Sequence, residues 1–281
     1  MATYTVNFFK YFIFFLLVLG CTAKSRVTGS LHNKKQATIY LDYQISKDKI
    51  TFDIRNSLYS PVRISLKTKD SILQQRFGTL TLQPLKDTVY VIGNTDLDQK
   101  NLNFKVELGD VQKNIVKKKL GLPFAKGKSY EILQSHNGSF SHNQEDSRFA
   151  IDFAMKVGDT VFTADEGYIV GVIDFHDQYG NESFKDYANF VTVYNDKTGV
   201  YIQYVHLKKD KVFVKVGEKV RKNQPIALVG LSGFMDGEHL HFNTLVPSES
   251  GLKSIPSDFD EYNGEEIYKG KVVSHELNTT K

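Results

Sequence analysis

Alternation of apolar and polar residues with period two organises the first half of the chain. It runs through Thr38-Ile39-Tyr40-Leu41-Asp42-Tyr43, Ile50-Thr51-Phe52-Asp53-Ile54, Val62-Arg63-Ile64-Ser65-Leu66, Thr88-Val89-Tyr90-Val91-Ile92 and Phe104-Lys105-Val106-Glu107-Leu108. Each segment places its apolar side chains on one face of an extended strand. Turn signals such as Ser60-Pro61 and Gly93-Asn94 stand between them, and strand spacings of roughly ten to fifteen residues predict a small antiparallel β-sandwich over residues 37–117. No cluster of chemistry-bearing residues falls within it. The run Lys117-Lys118-Lys119, followed by Gly121, Pro123 and Gly127, reads as a hinge into a second domain.

That second domain, expected over residues 128–250, contains an internal repeat. Lys156-Val157-Gly158-Asp159-Thr160-Val161, with Val170-Gly171-Val172 after it, is matched by Lys215-Val216-Gly217-Glu218-Lys219-Val220, with Val229-Gly230-Leu231 after it. Each copy reads as strand, tight glycine turn, strand and a second glycine-bearing strand. One copy resembles the hybrid motif of biotin- and lipoate-carrier domains, but no Met-Lys-Met or Asp-Lys-Ala hairpin tip is present to carry the group. The fold class expected is therefore all-β: a β-sandwich-like N-terminal domain, then a β-barrel or sandwich of duplicated hybrid motifs, with residues 251–281 as a C-terminal tail.

Before the first domain lies an apolar run from Tyr11 to Leu19, preceded by Lys10. It is too short to span a roughly 30 Å hydrocarbon core and has the form of a signal-peptide apolar region. It ends in Val18-Leu19-Gly20-Cys21, which resembles a bacterial lipobox. That resemblance implies a lipoprotein signal peptide over residues 1–20, acylation of Cys21, a polar tether over 21–36, and a protein exported to the bacterial cell envelope and lipid-anchored to a membrane. Cys21 is the sole cysteine among 281 residues, which excludes an intramolecular disulfide framework and a cysteine-rich zinc site. Any metal must be held by histidine and carboxylate.

Charge is split along the chain. Residues 22–120 carry 18 Lys/Arg against 9 Asp/Glu, and residues 121–281 carry 17 against 23. The basic first half suits contact with an anionic envelope surface or a regulatory protein. Basic and aromatic residues are not interleaved as in single-strand binders, so nucleic acid is not expected as a partner.

Six of the eight histidines fall between residues 136 and 241. Four stand in patterned surroundings: Ser141-His142, Tyr204-Val205-His206-Leu207 and His239-Leu240-His241-Phe242. Period two places His239 and His241 on one strand face, and Tyr204 with His206 on another. Asp152 is set in the apolar run Ala150-Ile151-Asp152-Phe153-Ala154. A carboxylate buried there requires a cation or strong donors.

These residues, with Val216-Gly217-x-x-Val220-x-x-x-Gln224-x-Ile226-x-x-Val229-Gly230, resemble the lysostaphin-like zinc endopeptidases that cut peptidoglycan cross-links. The resemblance covers roughly residues 134–245. It implies that His142, Asp152 and His241 hold Zn2+, that His206 and His239 act on the water and the developing oxyanion, and that the substrate is the peptide stems of peptidoglycan. Two imidazoles and one carboxylate leave a tetrahedral zinc one open position, as catalytic sites do, where bound water is activated and a carbonyl polarised. The family's usual spacing between its first histidine and the aspartate is shorter than here, where nine residues, Asn143 to Ile151, intervene. A polar insert that loops out would leave the site intact, and His136 is the alternative first ligand. His32, His176 and His275 are expected to be ordinary tether, loop and surface residues. Two other readings stay open: a catalytically inactive peptidoglycan-binding or hydrolase-activating relative, and a carrier or phosphotransfer domain sharing the barrel.

Overall fold

The computed structural model describes residues 25–28, 39–46, 48–93 and 102–277. The expected leader, Cys21, most of the tether and His32 lie outside the described residues. The chain forms two compact units, the first ending at Asp110 and the second beginning at Val111.

In the first unit, β1 (Ser25–Thr28), β2 (Ile39–Ile45), β3 (Lys49–Asn56) and β6 (Asp87–Gly93) form an antiparallel sheet in the order β1-β2-β3-β6. β5 (Thr79–Leu82), β4 (Val62–Lys67) and β7 (Asn103–Leu108) form a second, in that order. The alternating segments pack aromatic side chains between the sheets. Phe52 of β3 meets Phe104 of β7 edge-on at 6.0 Å, and Tyr43 of β2 lies 6.2 Å from Phe104. This is the sandwich expected from the period. A short helix, α1 (Ser71–Phe77), is an addition that a search for alternation passes over. Asp70 caps it by accepting a hydrogen bond from the Leu73 N–H at 2.9 Å, and Leu73 and Phe77, four apart, are its buried residues.

The second unit is built on a large sheet with the path β16-β11-β13-β14-β19-β9-β8-β21. Its strands are β8 (Ser129–Gln134), β9 (Ile151–Phe153), β11 (Gly167–Ile173), β13 (Phe190–Tyr194), β14 (Tyr201–Val205), β16 (Lys219–Val220), β19 (Leu240–Ser248) and β21 (Val272–Ser274), with β20 (Gly251–Ile255) paired to β19. A smaller sheet joins β10 (Thr160–Phe162), β17 (Pro225–Val229) and β15 (Leu207–Val212), and β12 (Tyr179–Gly180) pairs with β18 (Gly233–Phe234).

The sequence repeat is an interlocked pair. Lys156–Asp159 and Lys215–Glu218 form the same turn. Asp159 N–H donates to Lys156 O at 2.9 Å, and Glu218 N–H donates to Lys215 O at 3.0 Å. In both, the acidic side chain accepts from the backbone N–H of the opening lysine. Gly158 (φ 93°) and Gly217 (φ 89°) take the positive φ that the third turn position demands. The first copy's β10 then pairs with the second copy's β17, while the second copy's β16 pairs with the first copy's β11. Each half completes the other's sheet.

The chain departs from the expected organisation in two places. Residues 120–124 are no hinge: Leu120, Leu122 and Phe124 alternate into the core of the second unit, and Leu120 N–H and Gly121 N–H donate to Asp258 O and Ala164 O. The tail of residues 251–281 is likewise structural through residue 277. It supplies β20 and β21, and Phe259 is fully buried against Phe153 and Phe242, with ring centroids 6.3 and 5.7 Å apart. His275, expected at the surface, is buried; its Nδ1 donates to Phe124 O at 2.7 Å. The apolar positions here are too widely spaced to register as a strand pattern. Phe259→Ala is therefore expected to lower the unfolding free energy of this unit by about 3–5 kcal/mol, the usual cost of emptying a buried aromatic site. A urea unfolding series measures it; a change under 1 kcal/mol would return the segment to a peripheral tail.

Candidate metal centre

Three neighbouring strands carry a row of polar residues across the large sheet. Gln134 of β8 stands opposite Asp152 of β9, which stands opposite His241 of β19. Ile151, Phe153, Leu240 and Phe242 flank the row and point to the other face, where Phe153, Phe242 and Phe259 pack together. Period two thus separates the chemistry from the core within two residues.

Asp152 is 4% exposed and His142 fully buried. The Asp152 Oδ1 lies 2.9 Å from His241 Nδ1 and 3.2 Å from His142 Nε2, and the two ring nitrogens are 3.2 Å apart. The three form the group of metal-competent side chains among the described residues. His142 Nδ1 donates to Ser135 O at 2.9 Å, so in the neutral ring its Nε2 presents a lone pair to the other two atoms. Three electron-rich atoms converging in a buried site call for a cation at their centre. A tetrahedral zinc with ligand bonds of about 2.0–2.1 Å sets its ligand atoms roughly 3.3 Å apart, a spacing this triangle fits closely.

Two more imidazoles face the same place. The His206 and His239 rings are 4.7 Å apart, His206 and His241 5.9 Å, and His239 Nε2 is 3.9 Å from Asp152 Oδ1. Each is oriented through its other nitrogen: His206 Nδ1 donates to Ser232 O at 2.7 Å, and His239 Nδ1 to Gly237 O at 2.9 Å. As with His142, a backbone carbonyl fixes the tautomer and leaves Nε2 as the free atom.

His206 reaches the site by an unexpected route. Tyr204 pairs with Phe242 and contacts its ring, so it belongs to the core face; its hydroxyl accepts the Ala164 N–H at 2.7 Å. Period two would send His206 the same way. Instead, His206 lies just beyond the end of β14 with φ 66°, a left-handed conformation uncommon for a residue with a Cβ. This turns its ring to the face of His241. Asn189 and Ser232 hold the turn, both donating to Leu207 O, and Ser232 Oγ accepts the Asn189 N–H. Neither residue stands in a recognisable motif.

Burial and charge oppose each other at the centre. Burial disfavours the Asp152 carboxylate, yet His239, His142 and His241 hold its pKa well below the ordinary carboxylate range. Burial lowers the pKa of His206 strongly, assisted by His239 and His241, and lowers that of His241 despite Asp152. At neutral pH the site therefore combines an ionised aspartate with neutral His206 and His241.

The segment between His142 and Asp152 does not swing free. Asn137 N–H closes its neck on Arg148 O at 2.8 Å, Asn243 Nδ2 donates to Asp146 O at 2.7 Å, and Ser254 N–H donates to Glu145 O at 2.9 Å. The insert is thereby pinned to the β19–β20 hairpin. His136 stays outside the triangle: it is half-buried, edge-on to Phe149 at 5.4 Å, and its Nε2 has no hydrogen-bond partner among the described residues. His176 is half-buried between Phe175 and Tyr187.

Residues 147–251, which include Asp152, His206, His239 and His241, match the family model for Peptidase family M23. The chain carries a peptidase family M23 domain. His142 precedes the matched span. Over 95 residues the chain is 36% identical to peptidoglycan DD-endopeptidase ShyB of Vibrio cholerae, covering 34% of this chain and 20% of that protein. Over 92 residues it is 34% identical to an uncharacterized metalloprotease of Buchnera aphidicola, covering 33% of this chain and 21% of the relative. The match thus spans about a fifth of these relatives' length. Among solved structures, a zinc containing peptidase from Vibrio cholerae aligns at 18% identity over 79% of this chain and 82% of its own, with a TM-score of 0.37.

Proposed function

We propose that the chain is a zinc-dependent endopeptidase that hydrolyses peptide cross-links of bacterial peptidoglycan. The observation that carries this is the convergence of His142 Nε2, Asp152 Oδ1 and His241 Nδ1 within 3.2 Å of one another beside two further tethered imidazoles. The M23 match supports the reaction class, and the endopeptidase relative supports the substrate.

In this reading His142, Asp152 and His241 hold the zinc. When bound, it supplies Lewis acidity that activates water and polarises the scissile carbonyl. His206, kept neutral by burial and fixed by Ser232, takes the water's proton on Nε2 and returns it to the departing amine. His239, held by Gly237 beside the Asp152 carboxylate, is the group placed to stabilise the oxygen that gains charge as the carbonyl is attacked. Asp152 also supplies the negative charge that draws the cation into the buried site. The Val18-Leu19-Gly20-Cys21 string supports export and lipid anchoring at Cys21, with the first unit as a basic spacer or adaptor toward the wall or a regulatory partner.

The test is digestion of purified peptidoglycan by residues 22–281, followed by mass spectrometry of the soluble products. Conversion of cross-linked stem peptides to monomers with a new free amine is expected. Retention of every cross-link by zinc-loaded protein, together with tight binding to the wall, would replace the hydrolase with a binding module.

A further inference from the structure

We propose that Gln134 is the positioning residue of this centre, a single amide that locks the Asp152 carboxylate and the loop delivering His142 into one rigid unit. The inference rests on the metal-centre reading above. A register shift between Ile132 and Gln134 in the β8–β9 pairing brings Gln134 opposite Asp152. From there its Nε2 donates to Asp152 Oδ2 at 3.0 Å and to Ser141 Oγ at 2.9 Å. Its Oε1 accepts the Phe140 N–H at 3.1 Å and the Ser141 N–H at 3.4 Å. Both amide protons and the carbonyl oxygen are engaged, on both sides of the spacer that separates His142 from Asp152.

The choice of carboxylate oxygen gives this arrangement its consequence. The terminal torsion of an aspartate is broad and roughly two-fold, so the carboxylate does not by itself select an orientation. Gln134 occupies Oδ2 and leaves Oδ1 facing His142 Nε2 and His241 Nδ1. The same amide holds the backbone of residues 140 and 141, immediately before His142, whose N–H donates to Gly138 O at 3.0 Å. One side chain thus sets two of the three metal-facing atoms relative to each other, which a spacer of nine residues could not do unaided.

A second feature of the fold serves the same side chain. A Cβ placed on Gly138 would fall 2.3 Å from Gln134 Cγ and 2.6 Å from its Cδ and Oε1. The glycine leaves the space that the amide fills. Gly138→Ala is therefore an independent way to displace Gln134 without altering any group that touches the centre.

The experiment measures zinc affinity of the full chain by competition with a chromogenic zinc chelator. It compares the unaltered protein, Gln134→Ala, Gly138→Ala and the double variant. Gln134→Ala is expected to weaken zinc binding about 10–100-fold, the usual effect of removing an outer hydrogen-bond partner of a ligand. Gly138→Ala is expected to weaken it similarly, and to add less than about twofold once Gln134 is already Ala, because the clash is then gone. Affinity of Gln134→Ala equal to that of the unaltered chain would overturn the role of Gln134 while leaving the metal centre standing. A Gly138→Ala penalty that persists undiminished in the double variant would also overturn it. Failure of the unaltered chain to take up zinc would instead remove the metal-centre reading, and this inference with it. Should Gln134→Ala not unfold cooperatively in urea, Gln134→Met, which keeps the stem and lacks the amide, takes its place with the same deciding outcomes.

Discussion

His206→Ala is expected to slow release of soluble fragments from peptidoglycan by about 10²–10⁴-fold, the range supplied by a positioned general base, while zinc content stays at that of the unaltered chain. The separation of these two effects follows from geometry. His206 is not one of the three converging side chains; its ring lies 4.7 Å from His239 and 5.9 Å from His241. Its orientation comes from Ser232 O and a left-handed backbone, both independent of the triangle. Removing the ring leaves His142, Asp152 and His241 in place and takes away the group that accepts the proton. Rate measurement beside metal analysis on the same preparation checks this. Loss of zinc in step with loss of rate would make His206 a ligand, and an unchanged rate would give its part to His239.

Asp152→Ala is expected to remove both properties together. The aspartate contributes the only anionic atom of the triangle and sits within 3.2 Å of both histidine ligand atoms. Without it, two neutral imidazoles remain to attract a divalent ion into a buried pocket. Zinc affinity should then fall by more than the roughly 10–100-fold that loss of an outer partner costs, and fragment release should drop to the no-enzyme background. Asp152→Asn sharpens the test, since it keeps an oxygen and the size while removing the charge. Titration of each variant with zinc, read by calorimetry, separates the effects. Full zinc occupancy in Asp152→Ala would place the cation elsewhere and dissolve the proposed ligand set.

The contrast between what could and could not be read from the chain has a physical basis. Asp152 and the His239-Leu240-His241-Phe242 string were legible because they lie in or at the end of regular strands, where alternation sorts chemistry from core. The repeat was legible because each copy needs a glycine at the same turn position. His206 broke the rule that located it: Tyr204 and His206 were expected on one face, and a positive φ just past the strand end sends them to opposite faces. Gln134, Asn189 and Ser232 carried no signal, since an outer hydrogen-bond partner is defined by where strands meet and not by its sequence neighbours. Residues 251–277 also escaped, because their contribution is a few long-range contacts, Phe259 and β21 among them, and not a continuous apolar pattern. The insert between His142 and Asp152 reads in the sequence as a polar loop that leaves the site intact, and its contacts with the β19–β20 hairpin are visible only in three dimensions.

The central claim is that hydrolysis depends on a cation held by His142, Asp152 and His241. It is tested most directly by preparing the chain at graded zinc contents with a chelator, and plotting the rate of peptidoglycan fragment release against zinc bound per chain. The expected result is a rate that rises in proportion to zinc, reaches its limit at one ion per chain and falls to background at none, with activity returning on readdition. Undiminished release from zinc-free protein, or no release from fully loaded protein on any peptidoglycan offered, would contradict it.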